Sequence, residues 1–422
     1  MSADASALSR AQPVGVFEET NLHWYLAGQL VSVVGSLLQG AVISLLIIDV
    51  VGKVDAAYWV GVVGALTLGP ATLFAPLTGL LLDRYDTKRV LFATTALGFA
   101  QAVAFAYLVY AHCASIFTIN LLALCTGLII AIDAPGRNVF IKEIVGRHNV
   151  RFAAMVFLAL GNIAQVVGPG AAGFLVWYCG YPFTFVMNSL TFVVFMVVLL
   201  MIRLPQQESV LPAVDVSRPS VSGSLAAGAA YILRHTGLTT CIALTGIIST
   251  FGFSYLSLLA VIGRDMFGGG PVLFSYLAMW AGMGAVPAVG IAVVFHKFFS
   301  PRALVVSGVL IIGVAFVLLA RTSDVRYAEA LLFCTGYGFT VSLITVRSAI
   351  THLTRQDLVG VVTGYSYTFS CGGMVLGSWG AGIVANRLGC PAELTLCGVT
   401  LVLVAVGTYF LPGIRMLNKK AT

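Results

Sequence analysis

Long apolar stretches, each broken from the next by a short polar turn, repeat along all 422 residues of the chain. A helix rises ~1.5 Å per residue, so about twenty apolar residues cross a ~30 Å hydrocarbon layer. Twelve stretches of that length can be marked, near 22–51, 56–82, 88–111, 114–136, 150–177, 182–203, 238–263, 271–296, 302–320, 326–348, 358–385 and 390–413. The pattern predicts an all-α membrane protein of about twelve transmembrane helices. Residues 205–224, with Pro205, Glu208, Pro212, Asp215, Arg218 and Pro219, are the only long polar interior segment and divide six stretches from six. The expected organisation is a tail at 1–21, a six-helix bundle at 22–204, a linker at 205–237, a second bundle at 238–413 and a tail at 414–422. Within the linker, Leu225 to Arg234 reads as a helix lying along the membrane surface. Met1 to Thr20 is polar, so no cleavable signal peptide is expected.

The two bundles carry traces of one repeat. Arg137 precedes the run Gly168-Pro169-Gly170-Ala171-Ala172-Gly173 by 31 positions, and Arg347 precedes Gly377-Ser378-Trp379-Gly380-Ala381-Gly382 by 30. Two pseudo-symmetric bundles that rock about a midplane site are the architecture of many secondary transporters.

Composition agrees: 59% of residues are hydrophobic and 9% charged, against about 25% charged in soluble domains. The net charge of +7 could suggest nucleic acid. Loop asymmetry explains it better, because cytoplasmic loops collect Lys and Arg. With the N-terminus inside, 18 basic residues fall on the cytoplasmic side and 5 on the other, placing both termini in the cytoplasm. The eight cysteines form no C-x-x-C pair and the six histidines no i, i+4 pair, so no metal and no disulfide framework is expected. The chain has no phosphate loop, no HExxH and no GxSxG, which argues against an ATPase or an enzyme, and no cofactor is expected.

Several constellations remain. Gly79-Leu80-Leu81-Leu82-Asp83-Arg84-Tyr85-Asp86-Thr87-Lys88-Arg89 puts a charged turn between the second and third helices. A carboxylate there needs a cation or a helix N-terminus, so Asp83, Arg84, Lys88 and Arg89 are read as a gating cluster. Asp133 and Arg137 are four apart and share a helix face. Asp133 is either a proton site or a fixed member of a salt-bridge network, near the end of the fourth helix. Gly168, Pro169 and Gly173 give the fifth helix a face of small residues and a weakened ladder. Gln29, Ser32, Ser36 and Gln39 form a polar stripe on the first helix; Asn162 and Gln165 share a face on the fifth. Together with Tyr255, Trp280 and Tyr367 they are candidates for lining a pocket, or for bonding between helices without touching a ligand. No acid is read near the middle of a helix.

These residues resemble the major facilitator superfamily. Its loop motif G-x-L-x-D-R-x-G-[RK]-[RK] is matched by Gly79, Leu81, Asp83 and Arg84, with Lys88 and Arg89 as the basic end. Asp86 replaces the usual Gly, as is common in the enterobactin-exporter-like (transmembrane secretion effector) branch. Trp24 through Ser36 and Asp133-Ala134-Pro135-Gly136-Arg137 look like the same branch. Gly168-Pro169 with Gly173 is similar to the superfamily's antiporter motif, whereas Ala123 stands where the fourth helix usually has arginine. The resemblance implies a monomeric secondary-active exporter in a bacterial inner membrane. It would move a small amphiphilic molecule, a siderophore foremost, against protons, with Arg347 among its coupling residues. A drug-efflux pump, an uncoupled lipid or solute facilitator, and a sensor that moves nothing are the alternatives. The expected partners are substrate, protons and membrane lipid, and no nucleic acid.

The topology is directly testable. A reporter active only outside the cell, fused after Thr422, should stay silent; activity there would overturn the orientation.

Overall fold

In a computed structural model, residues 16–52, 54–145, 150–202, 221–294, 300–355 and 358–410 are described. Helices account for nearly all of them. The first bundle contains α1 (Val16–Val51), α2 (Ala56–Arg84), α3 (Thr87–Tyr110), α4 (Ile116–Val145) and α5 (Val150–Met201). The second contains α7 (Thr236–Phe267), α8 (Pro271–Val294), α9 (Pro301–Leu319), α10 (Val325–Leu353), α11 (Val359–Leu388) and α12 (Cys390–Phe410). Between them runs α6 (Val221–Arg234), against α11 and α7. Of the expected linker at 205–237, residues 205–220 lie outside the described residues, as do most of both expected tails.

Eleven described helices are long and apolar enough to cross a membrane. One of them, α5, crosses twice. Gly180 breaks it with φ 78° and ψ 169°, a conformation strained for any residue with a Cβ, so 150–179 and 181–201 are two arms of a tight reversal. The fold is therefore the expected all-α one, with twelve crossings in two pseudo-symmetric bundles.

Helix ends follow local chemistry. Asp86 caps α3 by accepting from the Arg89 amide at 2.8 Å, which gives that acid a backbone task in the charged turn. Ser300 caps α9, accepting from the Ala303 amide at 3.2 Å, with Pro301 in the first turn. The fourth helix corrects its sequence-based end. Pro135 and Gly136 look like a stop, yet α4 continues to Val145. A proline inside a helix removes one ladder bond and bends it without forcing an end when neighbours hold the next turn. Here a Cβ on Gly136 would meet the Leu91 side chain of α3 at 3.0 Å, so the turn after the proline is packed against its neighbour. Asp133 consequently lies well inside a helix rather than at its tip.

One apolar cluster runs through both bundles, and each bundle adds contacts of its own. In the first, Phe105 of α3 stacks on Phe185 of the second α5 arm, with centroids 4.9 Å apart. A buried polar chain also ties four crossings together. Gln39 of α1 donates to Gln101 Oε1 at 2.9 Å and accepts from Asn188 Nδ2 at 2.6 Å, while Gln101 donates to Thr126 Oγ1 at 2.6 Å. In the second bundle Tyr255 packs edge-on against Phe316, centroids 5.5 Å apart.

Gln39→Leu should lower stability by about 1–3 kcal/mol, because Gln101 and Asn188 each lose a buried partner. Thermal unfolding in detergent reads this, and an unchanged midpoint would make the chain of bonds dispensable.

Candidate functional site

The two bundles meet along two seams. On one, α2 lies against α11: Ser378 Oγ donates to the Gly61 carbonyl at 3.2 Å. A Cβ on Gly61 would collide with the Ser378 and Gly382 backbones, and one on Gly382 with the backbones of Ala57, Tyr58 and Gly61. On the other, the first α5 arm lies against α8. A Cβ on Gly173 would collide with the Pro271 carbonyl, and one on Gly170 with Met279. Gly170 and Gly173 of one run, and Ser378 and Gly382 of the other, are thus contact points between halves, whereas Gly168 packs on α1 and Gly377 on α7 within their own bundles.

The second seam holds a feature no motif announced. Ser275 of α8 inserts its hydroxyl into the α5 ladder, accepting from the Gly173 amide at 2.8 Å and donating to the Pro169 carbonyl at 3.1 Å. In an unbroken helix those two groups bond each other, four residues apart. The side chain of one half thus bonds the backbone of the other between Pro169 and Gly173.

Both seams close the end that carries the 52–55 turn and the start of α8. Asn386 adds a bond to Asp55 Oδ1 there, at 3.4 Å. Along these seams α2 approaches Gly372 through Thr72 and the first α5 arm approaches Gly282 through Val166. Gly364 sits five helical turns from Gly382 on the same face of α11, yet nothing approaches its Cβ position within 4 Å. The same holds for Gly290, three turns from Met279 on α8. A cleft therefore opens between the halves toward the end that carries the 79–89 turn.

Of the nine candidate lining residues, four are occupied elsewhere. Gln39 belongs to the buried chain described above. Ser32 accepts from Arg137 Nη2 at 3.1 Å, and Ser36 turns back onto the Ser32 carbonyl at 2.9 Å. Tyr255 is in the second bundle's core. Gln29 is buried with its Oε1 unbonded. Asn162 is half-buried and bonded, Trp280 half-buried with its ring edge-on to Phe333 of α10, and Gln165 and Tyr367 are exposed. Gln165, whose carbonyl lies by Gly282 where the α5 seam ends, and Tyr367 are the two candidates best placed at the cleft.

The gating candidates divide as well. Asp133 and Arg137 form an ion pair, Oδ2 to Nε at 2.5 Å, with side chains 17% and 6% exposed. Thr94 donates to the other Asp133 oxygen at 2.9 Å, Phe195 lies under the guanidinium with its centroid 4.2 Å away, and the Tyr25 hydroxyl donates to the Arg137 carbonyl at 3.1 Å. Every partner lies in the first bundle, so the network locks α1, α3, α4 and the second α5 arm into one body. Lys88 adds to it by donating to the Ile202 carbonyl at 2.8 Å, capping the end of α5. Arg84 and Arg89 are exposed. Gly79 and the Asp83 side chain fall outside the described side chains. Arg347 is exposed and donates to Ser370 Oγ at 3.3 Å, and Ser370 pairs with Ser249 Oγ of α7 at 3.0 Å. Sequence reading also passed over Glu393, 1% exposed in the first turn of α12, which takes a bond from Cys397 at 3.1 Å.

A family profile described as transmembrane secretion effector matches residues 12–420. The staphyloferrin A transporter of Staphylococcus aureus is 25% identical over 233 residues, covering 55% of this chain and 57% of that one. The chain thus spans little more than half of that relative's length. The multidrug efflux pump Tap of Mycolicibacterium fortuitum is 24% identical over 374 residues, covering 85% and 88%. The crystal structure of the nucleoside transporter NupG superposes with a TM-score of 0.74 at 13% identity, covering 94% of this chain and all 100% of that one, a likeness of fold.

Asp133→Asn should cost about 3–5 kcal/mol, because it strands a buried guanidinium, and Asp133→Leu with Arg137→Met should recover most of the loss. Thermal unfolding of both variants decides it. A single variant as stable as the parent would remove the pair from the framework.

Proposed function

The chain belongs to the transmembrane secretion effector family of the major facilitator superfamily, and we propose that it exports a siderophore, before iron loading, by proton antiport. Its membership makes it a non-enzymatic, multi-pass bacterial carrier that moves a small molecule by alternating access. The finer reading rests above all on the charge of the cleft. The polar groups we assign to it are an amide, a phenol and a cation (Gln165, Tyr367 and Arg347), all exposed. A cavity for lipophilic cations needs a counter-charge among its aromatics, since a desolvated cation is costly without one. A neutral or anionic cargo rich in hydroxyls and carbonyls suits amides, hydroxyls and arginine. The likeness to a staphyloferrin A transporter and the Asp86 departure support placement near the enterobactin-exporter-like branch.

The remaining proposals rest on the family resemblance and the chain's pattern, with the orientation taken from the basic asymmetry of the loops. The protein sits in the inner membrane as a monomer among lipids, with both termini cytoplasmic and bundles at 22–204 and 238–413. The cleft then opens to the cytoplasm, where newly made cargo is found and where the basic rim draws anions. Gating is assigned to the 79–89 turn and to Gly168, Pro169 and Gly173, with protons exchanged for the cargo. The multidrug reading is kept as the second one because of the likeness to Tap.

Cells lacking the protein should accumulate the siderophore internally and secrete less of it under iron limitation, measured by mass spectrometry of cells and medium. Unchanged secretion, with sharply raised sensitivity to cationic dyes, would sink this reading and favour the drug pump.

A further inference from the structure

The repeat places an arginine at corresponding positions in the two bundles, and the two have opposite surroundings. Arg137 is sealed: 5% exposed, paired with Asp133 one turn earlier and covered by Phe195. In the second bundle the position one turn before Arg347 is Leu343, which is buried at 6% exposure. Arg347 is exposed, and no carboxylate among the described residues lies within ion-pair distance of it. Of the five N–H donors a guanidinium carries, one bonds Ser370 Oγ at 3.3 Å, and no other protein partner is found among the described residues.

The direction of that bond fixes where the charge sits. Ser370 is on α11 and bonds Ser249 of α7, the two second-bundle helices that face α2 across the seam. Two residues further along α11, α2 comes close to Gly372 through Thr72, at 3.5 Å from the Cβ position. Beyond it, toward Gly364, the cleft is open. The guanidinium therefore stands at the inner floor of the cleft, where the halves part. Tyr367, 44% exposed, shares a face of α11 with Ser370, three residues before it. While the cleft is open, water can solvate this cation. Once the halves close over it, an unpaired guanidinium becomes costly, and an anion arriving with the cargo supplies the missing counter-charge.

We propose that Arg347, with the Tyr367 hydroxyl, is an anion-binding subsite that takes the carboxylate of an amphiphilic organic acid. The planar fork of arginine accepts two carboxylate oxygens at once, and the phenol supplies one more donor. This deepens the export reading by assigning the charged end of the cargo to one side chain. It uses that reading only to take the cleft as the cargo site.

The test is binding to the purified full chain in nanodiscs of zwitterionic lipid, with two probes that differ only in charge: dansylglycine and its neutral amide, dansylglycinamide. The parent should bind the acid roughly tenfold more tightly than the amide. Arg347→Gln should bring the two affinities together. Leu343→Asp, which copies the Asp133–Arg137 spacing, should do the same by giving Arg347 an internal partner. Monodisperse elution and an unchanged melting profile show that each variant is folded, and either folded variant suffices to decide. A parent that does not prefer the acid, or a preference that survives in a folded variant, overturns the subsite. Because the readout is binding, unchanged siderophore secretion together with an intact acid preference would sink the export reading alone.

Discussion

Close approach of backbones across the seam is the constraint on which the rest of the structure depends. Lipid tails are as apolar as leucine, so helices in a bilayer gain little by hiding apolar side chains from their surroundings. Two halves stay together only where small residues let main chains touch and where a few polar groups bond across. Gly61 with Gly382, and Gly173 with Pro271, provide the first; Ser378 and Ser275 provide the second. Interhelical bonds of this kind contribute about 0.6–2 kcal/mol each, so a handful of them hold the seams with only a few kcal/mol. A carrier needs that modesty, because a cargo with ordinary differential affinity must be able to shift the balance between states.

The polar groups inside each half do the opposite work. The Asp133–Arg137 pair with Ser32 and Thr94, and the chain from Gln39 to Gln101, Asn188 and Thr126, are largely removed from solvent, bonded to one another and confined to the first bundle. Such networks are expensive to break, because a stranded charge or amide has no water to turn to. Strong bonds within a half and weak ones between halves make two stiff bodies with a soft joint. That division is what lets alternating access proceed as rigid rocking rather than as partial unfolding.

What the chain disclosed before folding follows the same division. Span number, helical class and the importance of both glycine runs were legible because they rest on length, hydropathy and the absence of side chains, all local properties. The polar stripe on α1 was legible as a face but not as an assignment: spacing shows that Gln29, Ser32, Ser36 and Gln39 point one way, and not which neighbour receives them. Ser32 and Gln39 went to other helices of the same bundle, and Tyr255 to the packed interior. Pro135 misled because a helix stop and a tolerated kink look alike until Leu91 is seen against Gly136. Ser275 and Glu393 were invisible for a plainer reason. A lone serine or glutamate near a helix start has no periodic partner, and its meaning comes entirely from what packs opposite.

Ser275 also shows how a seam can open without stranding hydrogen bonds. While it is inserted, the Gly173 amide and the Pro169 carbonyl both use its hydroxyl. When α8 moves away, those two groups have each other, four residues apart, in the ordinary helical pattern. The released hydroxyl can turn back to the carbonyl four residues earlier on its own helix, as Thr245 does onto Cys241 at 2.9 Å and Thr335 onto Leu331 at 2.9 Å. Of the two bonds that cross the seam, one is replaced within α5 and the other within α8, so neither backbone group is left unpaired in lipid. Pro169 places the exchange: lacking an amide, it already breaks the ladder one turn earlier, so the helix can widen enough to admit a hydroxyl. The interaction that closes one end of the cleft is thus built from groups with a second, equally satisfied arrangement, which is the requirement for an element that has to occupy two states.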